Sequence, residues 1–155
     1  MTPEKIDLKR ATQEMVKGVG GLEAAAGFCR VGKSVLGDNQ SVSRPESFIA
    51  IDVVADLEPL ARERSGWPHV TRALCKQMGG VFVAVPEGRA TGANLMGLLA
   101  RKVKEGADVS SGLCEALRDG VVEPAEARKV RSEIMELMEL LAAMDAELAS
   151  IEQDG

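Results

Sequence analysis

No tyrosine occurs in the 155-residue chain, and one Trp, three Phe and a single His are all it has of aromatic and imidazole side chains. With His69 alone, and no metal partner or nucleophile beside it, imidazole catalysis has nothing to work with, and a polar contact or cap is expected there. Cysteine is equally sparse. Cys29, Cys75 and Cys114 stand about forty residues apart, without a C-x-x-C pair or a neighbouring His, which argues against a zinc site and a disulfide framework and for reduced, buried thiols. No run of apolar residues is long enough to span a bilayer, and the charged start "MTPEKIDLKRATQEM" has no apolar h-region. A soluble, cytoplasmic protein without membrane contact is expected.

What is present favours helix. Ala, Leu, Met and Glu are abundant while aromatics are 3% of residues, a composition that leans to α. The net charge of −5 is uneven: residues 1–44 hold seven Lys/Arg against five Asp/Glu, and residues 92–155 seven against thirteen. A polyanion would therefore be met by the first third.

Apolar residues at three- and four-residue steps predict a helix from Pro3 to about Val19, stopped by Gly20-Gly21. Short helices follow over 22–28 and 31–40, then, beyond a Ser/Pro loop at 41–48, over 49–60 and 68–78. "VFVAV", residues 81–85, is the one segment of strand composition and needs a partner from elsewhere. Trp67 is expected as a core or interface anchor. Residues 91–119 are mostly helical with weak spots at Gly92, Gly97, Gly106 and Gly112. After "RDGVVEP", Ala127, Val130, Ile134, Leu137, Leu141, Met144, Leu148 and Ile151 alternate by three and four, the seam of a coiled coil. "DGVVEPAE" lacks the oxygen-ligand ladder of a calcium loop and reads as the turn of an antiparallel helical hairpin. The expected architecture is thus mainly all-α: residues 1–88 a domain of about five short helices with one extended segment, and residues 89–155 a helical hairpin.

"GFCRVGKS", residues 27–34, spells the G-x-x-x-x-G-K-S of phosphate-binding loops, and "FIAID", residues 48–52, resembles the strand whose Asp holds magnesium. That chemistry needs a buried strand leading into the loop. The lead-in here, Leu22-Glu23-Ala24-Ala25-Ala26, is a helix former, so a nucleotide hydrolase is not expected.

The same stretch suits a helix-turn-helix. Leu22, Ala25, Ala26 and Cys29 make a small apolar face, Val31 and Leu36 anchor the second helix, and Arg30, Lys33, Ser34, Asn39 and Gln40 are left to turn outward. Arg and Lys suit guanine or phosphate, and Asn and Gln suit adenine. Gly32 and Gly37 each weaken the second helix by about 1 kcal/mol relative to Ala, so it should be short.

The series "GGLEAAAGFCRVGKSVLGDN", then "SFIAIDVVADLE", then "PHVTRALCKQMGG" leading into "VFVAV", resembles the phage CII-type regulatory proteins over residues 5–86, with a hairpin tail over residues 90–153. The resemblance implies a non-enzymatic, sequence-specific DNA-binding transcriptional regulator, with the segment 22–40 on double-stranded DNA and RNA polymerase a candidate partner. Self-association is expected through Val130, Ile134, Leu137, Leu141, Met144 and Leu148, because one short recognition helix binds modestly and linked copies bind paired half-sites better. No pattern calls for a cofactor or a metal. The competing reading is a helical protein–protein adaptor that does not touch DNA.

Overall fold

The computed structural model of the protein describes residues 1–85 and 95–154. It is all-helical: α1 is Pro3–Gly18, α2 Leu22–Ala26, α3 Lys33–Gln40, α4 Ile51–Leu57, α5 His69–Gln77, α6 Leu95–Ala116 and α7 Pro124–Asp154, with a 3-10 turn at Pro59–Ala61. No strand forms among the described residues. Residues 81–85 carry no regular secondary structure despite their β-branched composition, because a strand exists only through a partner and the described chain around them is helical. Gly97, Gly106 and Gly112 are absorbed within α6, because tertiary packing against α7 outweighs their individual cost. Gly92 and the expected boundary at 88/89 lie outside the described residues. The chain divides into two units, Met1–Phe82 and Val83–Gly155.

The first unit is built around α1. Thr2 caps it, its hydroxyl accepting from the Lys5 N–H at 3.4 Å, and Pro3 occupies the first turn, where its missing N–H costs nothing. The buried face carries Met15 and Val16 into a core with Ala25, Leu36, Val53, Val54, Leu57, Ala61 and Val70. Gly20 and Gly21, with φ of 106° and 97°, reverse the chain into α2 through a backbone region that disfavours a side chain. Gly18 lets α1 touch the 3-10 turn: a Cβ there would stand 2.7 Å from the Ala61 Cβ.

Two buried charges tie this unit together. Lys9, with none of its surface exposed, donates through Nζ to the carbonyls of Asp38 (3.2 Å), Arg44 (2.9 Å) and Ser47, and lies 4.6 Å from the centre of the Phe48 ring. The stitch joins α1 to the end of α3 and to the Ser/Pro loop. Glu58, 5% exposed, accepts from the N–H groups of His69 (2.6 Å), Val70 (3.3 Å) and Thr71 (2.9 Å) and from the Thr71 hydroxyl (3.1 Å). A carboxylate across the first turn of α5 satisfies the orphan donors that no preceding side chain reaches, because Pro68 stands at the N-cap. Trp67 is half-buried, donates to the Glu58 carbonyl at 2.8 Å and meets Phe82 edge to face.

His69 is therefore not the cap of α5 but is capped. Its imidazole is buried, Nε2 has no partner among the described residues, and burial holds its pKa below the usual 6.5, opposed by the nearby Glu58 carboxylate. A group kept neutral in the fold and protonated more readily when unfolded contributes stability that is present above about pH 6.5 and is lost as pH falls through the folded-state pKa. The melting temperature is expected to fall between about pH 7 and pH 5, and His69→Gln to flatten that slope. Glu14 titrates in a separate window: hydrogen bonds from Lys17 and Arg64 hold it at about 2, so its contribution fades only below 4.5.

In the second unit α6 and α7 pack on each other, joined by the residues from Leu117 to Glu123. Gly112 is buried and makes room for a carboxylate: a Cβ there would come 2.5 Å from Glu133 Oε2.

Candidate nucleic-acid interface

Residues 22–26 are helix, so "GFCRVGKS" runs from one helix into another and has no strand to stand on. The phosphate-loop reading ends there. Asp52, its supposed magnesium ligand, lies in the first turn of α4 and pairs with Arg30 instead.

The expected packing between α2 and α3 is present. Ala25 and Leu36 are fully buried, and Leu22, Ala26, Cys29 and Val31 pack against the same core. The Cys29 thiol sits beneath the link, within 3.4 Å of the Ala25 carbonyl and 3.5 Å of the Val31 carbonyl. Gly32 is the N-cap of α3 and supplies no side-chain cap, so no capping side chain satisfies the first N–H groups at the positive end of the helix dipole.

Of the five residues expected to face outward, Arg30, Lys33 and Ser34 are exposed and gather at this helix start. Arg30 Nε and Nη2 donate to the two Asp52 carboxylate oxygens at 2.5 and 3.1 Å, while Lys33 stands 3.5 Å from Glu23. Asn39 is not turned outward. It is 5% exposed, and its side-chain oxygen accepts from the Ser47 hydroxyl at 2.8 Å; it lies three residues after buried Leu36, on the inward face. Gln40 is half-buried. Val35, 47% exposed, was missed because an apolar residue in a short helix reads as core; its position next to Leu36, about 100° around the helix, was the available signal.

The second unit splits the apolar seam of α7. Val130 is buried, Leu137 and Met144 half-buried, and Ile134, Leu141 and Leu148 exposed. The side toward α6 is marked by Glu133, with buried Leu140 and Glu147 following at seven-residue steps. On α6 the buried positions are Leu98, Gly112 and Ala116. Leu99 and Leu113, which follow buried Leu98 and Gly112 on α6, Leu117 just beyond α6, and Ile134, Leu141 and Leu148, which follow half-buried Glu133 and buried Leu140 and Glu147 on α7, are exposed. A step of one residue turns about 100° around a helix, so these apolar side chains stand off the buried positions of their own segments.

Among the described residues no group of His, Cys, Asp and Glu could hold a metal ion, and no helix is long and apolar enough to cross a membrane. Comparison with curated proteins and with solved structures gives no match. Residues 61–151, more than half of the chain, match the family model of phage regulatory protein CII (CP76), a stretch that begins beyond α3 and takes in α5, α6 and most of α7. The chain belongs to that family of phage regulatory proteins.

Proposed function

We propose that the protein is a sequence-specific DNA-binding transcriptional regulator of phage type, that α2 and α3 are its helix-turn-helix with α3 as recognition helix, and that copies associate through the outer face of an α6–α7 hairpin. The observation that carries the DNA reading is the start of α3, where Arg30, Lys33 and Ser34 stand exposed around an uncapped helix end. Phosphate is the ligand such an end accepts, with its N–H groups, a lysine and a hydroxyl converging on one anion. Val35 adds an apolar contact suited to a thymine methyl. Asn39 holds the Ser/Pro loop, and Gln40 remains the one amide candidate at the far end of the helix. RNA polymerase is the partner a promoter-bound regulator of this kind addresses.

Lys33 is exposed and its ion pair among the described residues is long, so its removal leaves the fold intact. Lys33→Ala is expected to weaken binding to every duplex by a similar factor and to lower the slope of log K against log salt by about one unit. Gel retardation across a salt series reads both. An unchanged slope would remove Lys33 from the interface, and no retardation by wild type at low salt would leave the adaptor reading in its place.

A further inference from the structure

Arg30 and Lys33 reach the start of α3 in different states. Among the described residues Lys33 has one long contact, to Glu23, whose side chain is 89% exposed, and its ammonium is a point charge without a fixed plane. Arg30 is held by two hydrogen bonds on one edge of its guanidinium, and its partner Asp52 belongs to a helix rather than a loop. The first turn of α4 favours a carboxylate through its dipole and its N–H groups. The hydrogen bonds from Arg30, helped by N–H groups of Asp52 and Val53, hold the Asp52 pKa below its usual value. Yet both side chains are more than half exposed, and an exposed ion pair adds little to stability. What the pair does is fix a plane. Guanidinium has five N–H donors; two are committed to Asp52, and those on the Nη1 side remain accessible just ahead of the recognition helix.

We propose that Asp52 is a positioning residue that presents Arg30, as a pre-oriented fork, to the O6 and N7 acceptors of a guanine in the major groove, an inference that rests on the DNA-binding reading above. A free arginine must lose its rotamer freedom on binding, whereas one already clamped has little left to lose. Because two parallel hydrogen bonds to guanine demand a set plane, the clamp acts on sequence discrimination. A clamped fork on a phosphate would raise affinity for every duplex alike and leave discrimination unchanged.

The test uses the full chain and duplexes that wild type enriches from a randomised pool. Affinity for an enriched duplex is measured against affinity for the starting pool, for wild type, Asp52→Ala, Arg30→Ala and the double variant. Asp52→Ala is expected to lower the ratio about five- to tenfold, to leave the salt slope unchanged, and to have no further effect once Arg30 is alanine. Equal gain on both DNAs would show that Asp52 is only a negative charge competing with DNA, and would overturn the inference, as would an unchanged ratio or additive effects in the double variant. Should Asp52→Ala fail to fold by circular dichroism, Asp52→Asn, which keeps the shape but cannot receive the fork with two acceptors, carries the same comparison. A wild-type protein that enriches nothing sinks the DNA reading itself, a result distinguishable from all the others.

Discussion

Lys9→Ala is expected to lower the unfolding free energy by about 3–5 kcal/mol, the scale seen when one partner of a buried charged network is removed. Three carbonyls, of Asp38, Arg44 and Ser47, end on the Lys9 ammonium. They belong to the end of α3 and to a loop with no regular structure of its own, where the Asp38 and Arg44 carbonyls also accept from the Ser41 and Ser47 N–H groups at 3.2 and 3.1 Å, so the ammonium adds the bonds that tie these turns to α1. Burial pushes the Lys9 pKa down, countered by the Asp38 charge, which is the mark of a cation that has given up water for protein carbonyls. Domains of this size have only about 5–15 kcal/mol to lose, and the melting temperature should drop on the order of 15 °C. Lys9→Met separates the parts of the effect. It restores a buried aliphatic side chain but neither the donors nor the charge over the Phe48 ring, and should recover at most about 1–2 kcal/mol. Urea denaturation of the three proteins checks both statements; a loss under about 1 kcal/mol for Lys9→Ala would mean that water replaces the ammonium without cost. Since the stitch also fixes the C-terminal end of α3, DNA binding by the folded fraction of Lys9→Ala should weaken as well.

Neither Lys9 nor Glu58 could be read from the sequence as a core residue. Lys9 falls between Ile6 and Met15 on a helix where periodicity counts only apolar side chains, and its partners are backbone groups up to 38 residues away. Glu58 looks like the solvent side of α4 and proves to be the cap of a different helix. Local signals fared better. Pro3, Gly20-Gly21 and the Leu22, Ala25, Leu36 anchors are short-range arguments about a first turn, breakers and packing: α1 runs from Pro3 to just before the glycine pair and Ala25 and Leu36 are buried, while α3 begins at Lys33 rather than at residue 31. Asn39 shows the limit on the site itself: in an eight-residue helix one position separates a residue that faces outward from one that closes a loop. Strand composition at 81–85 misled for a related reason, since a strand is a statement about two segments and composition describes one.

The seam of α7 was legible as a period and not as a direction, and its direction decides the second large effect. Ile134→Glu combined with Leu141→Glu is expected to weaken self-association on the order of 100-fold or more, because a paired interface would have to bury carboxylates where apolar side chains meet. Both positions are exposed within the chain, so helicity should be unchanged. The register explains why they are free. Gly112 on α6 leaves a space that Glu133 fills, and one step beyond half-buried Glu133 and buried Leu140 and Glu147 the side chains of Ile134, Leu141 and Leu148 are exposed, as are those of Leu99, Leu113 and Leu117. Each such half-exposed side chain would gain about 1 kcal/mol on burial, taking half of the value for complete burial. Contributions from both copies together reach the several kcal/mol that association costs. Light scattering over a concentration series reads the outcome: wild type as dimer or higher oligomer, the double variant as monomer. The variant should still bind a single half-site with wild-type affinity while losing the advantage of paired half-sites. A wild-type protein that stays monomeric at high concentration, or a variant that associates as tightly, would assign this face to something other than a second copy.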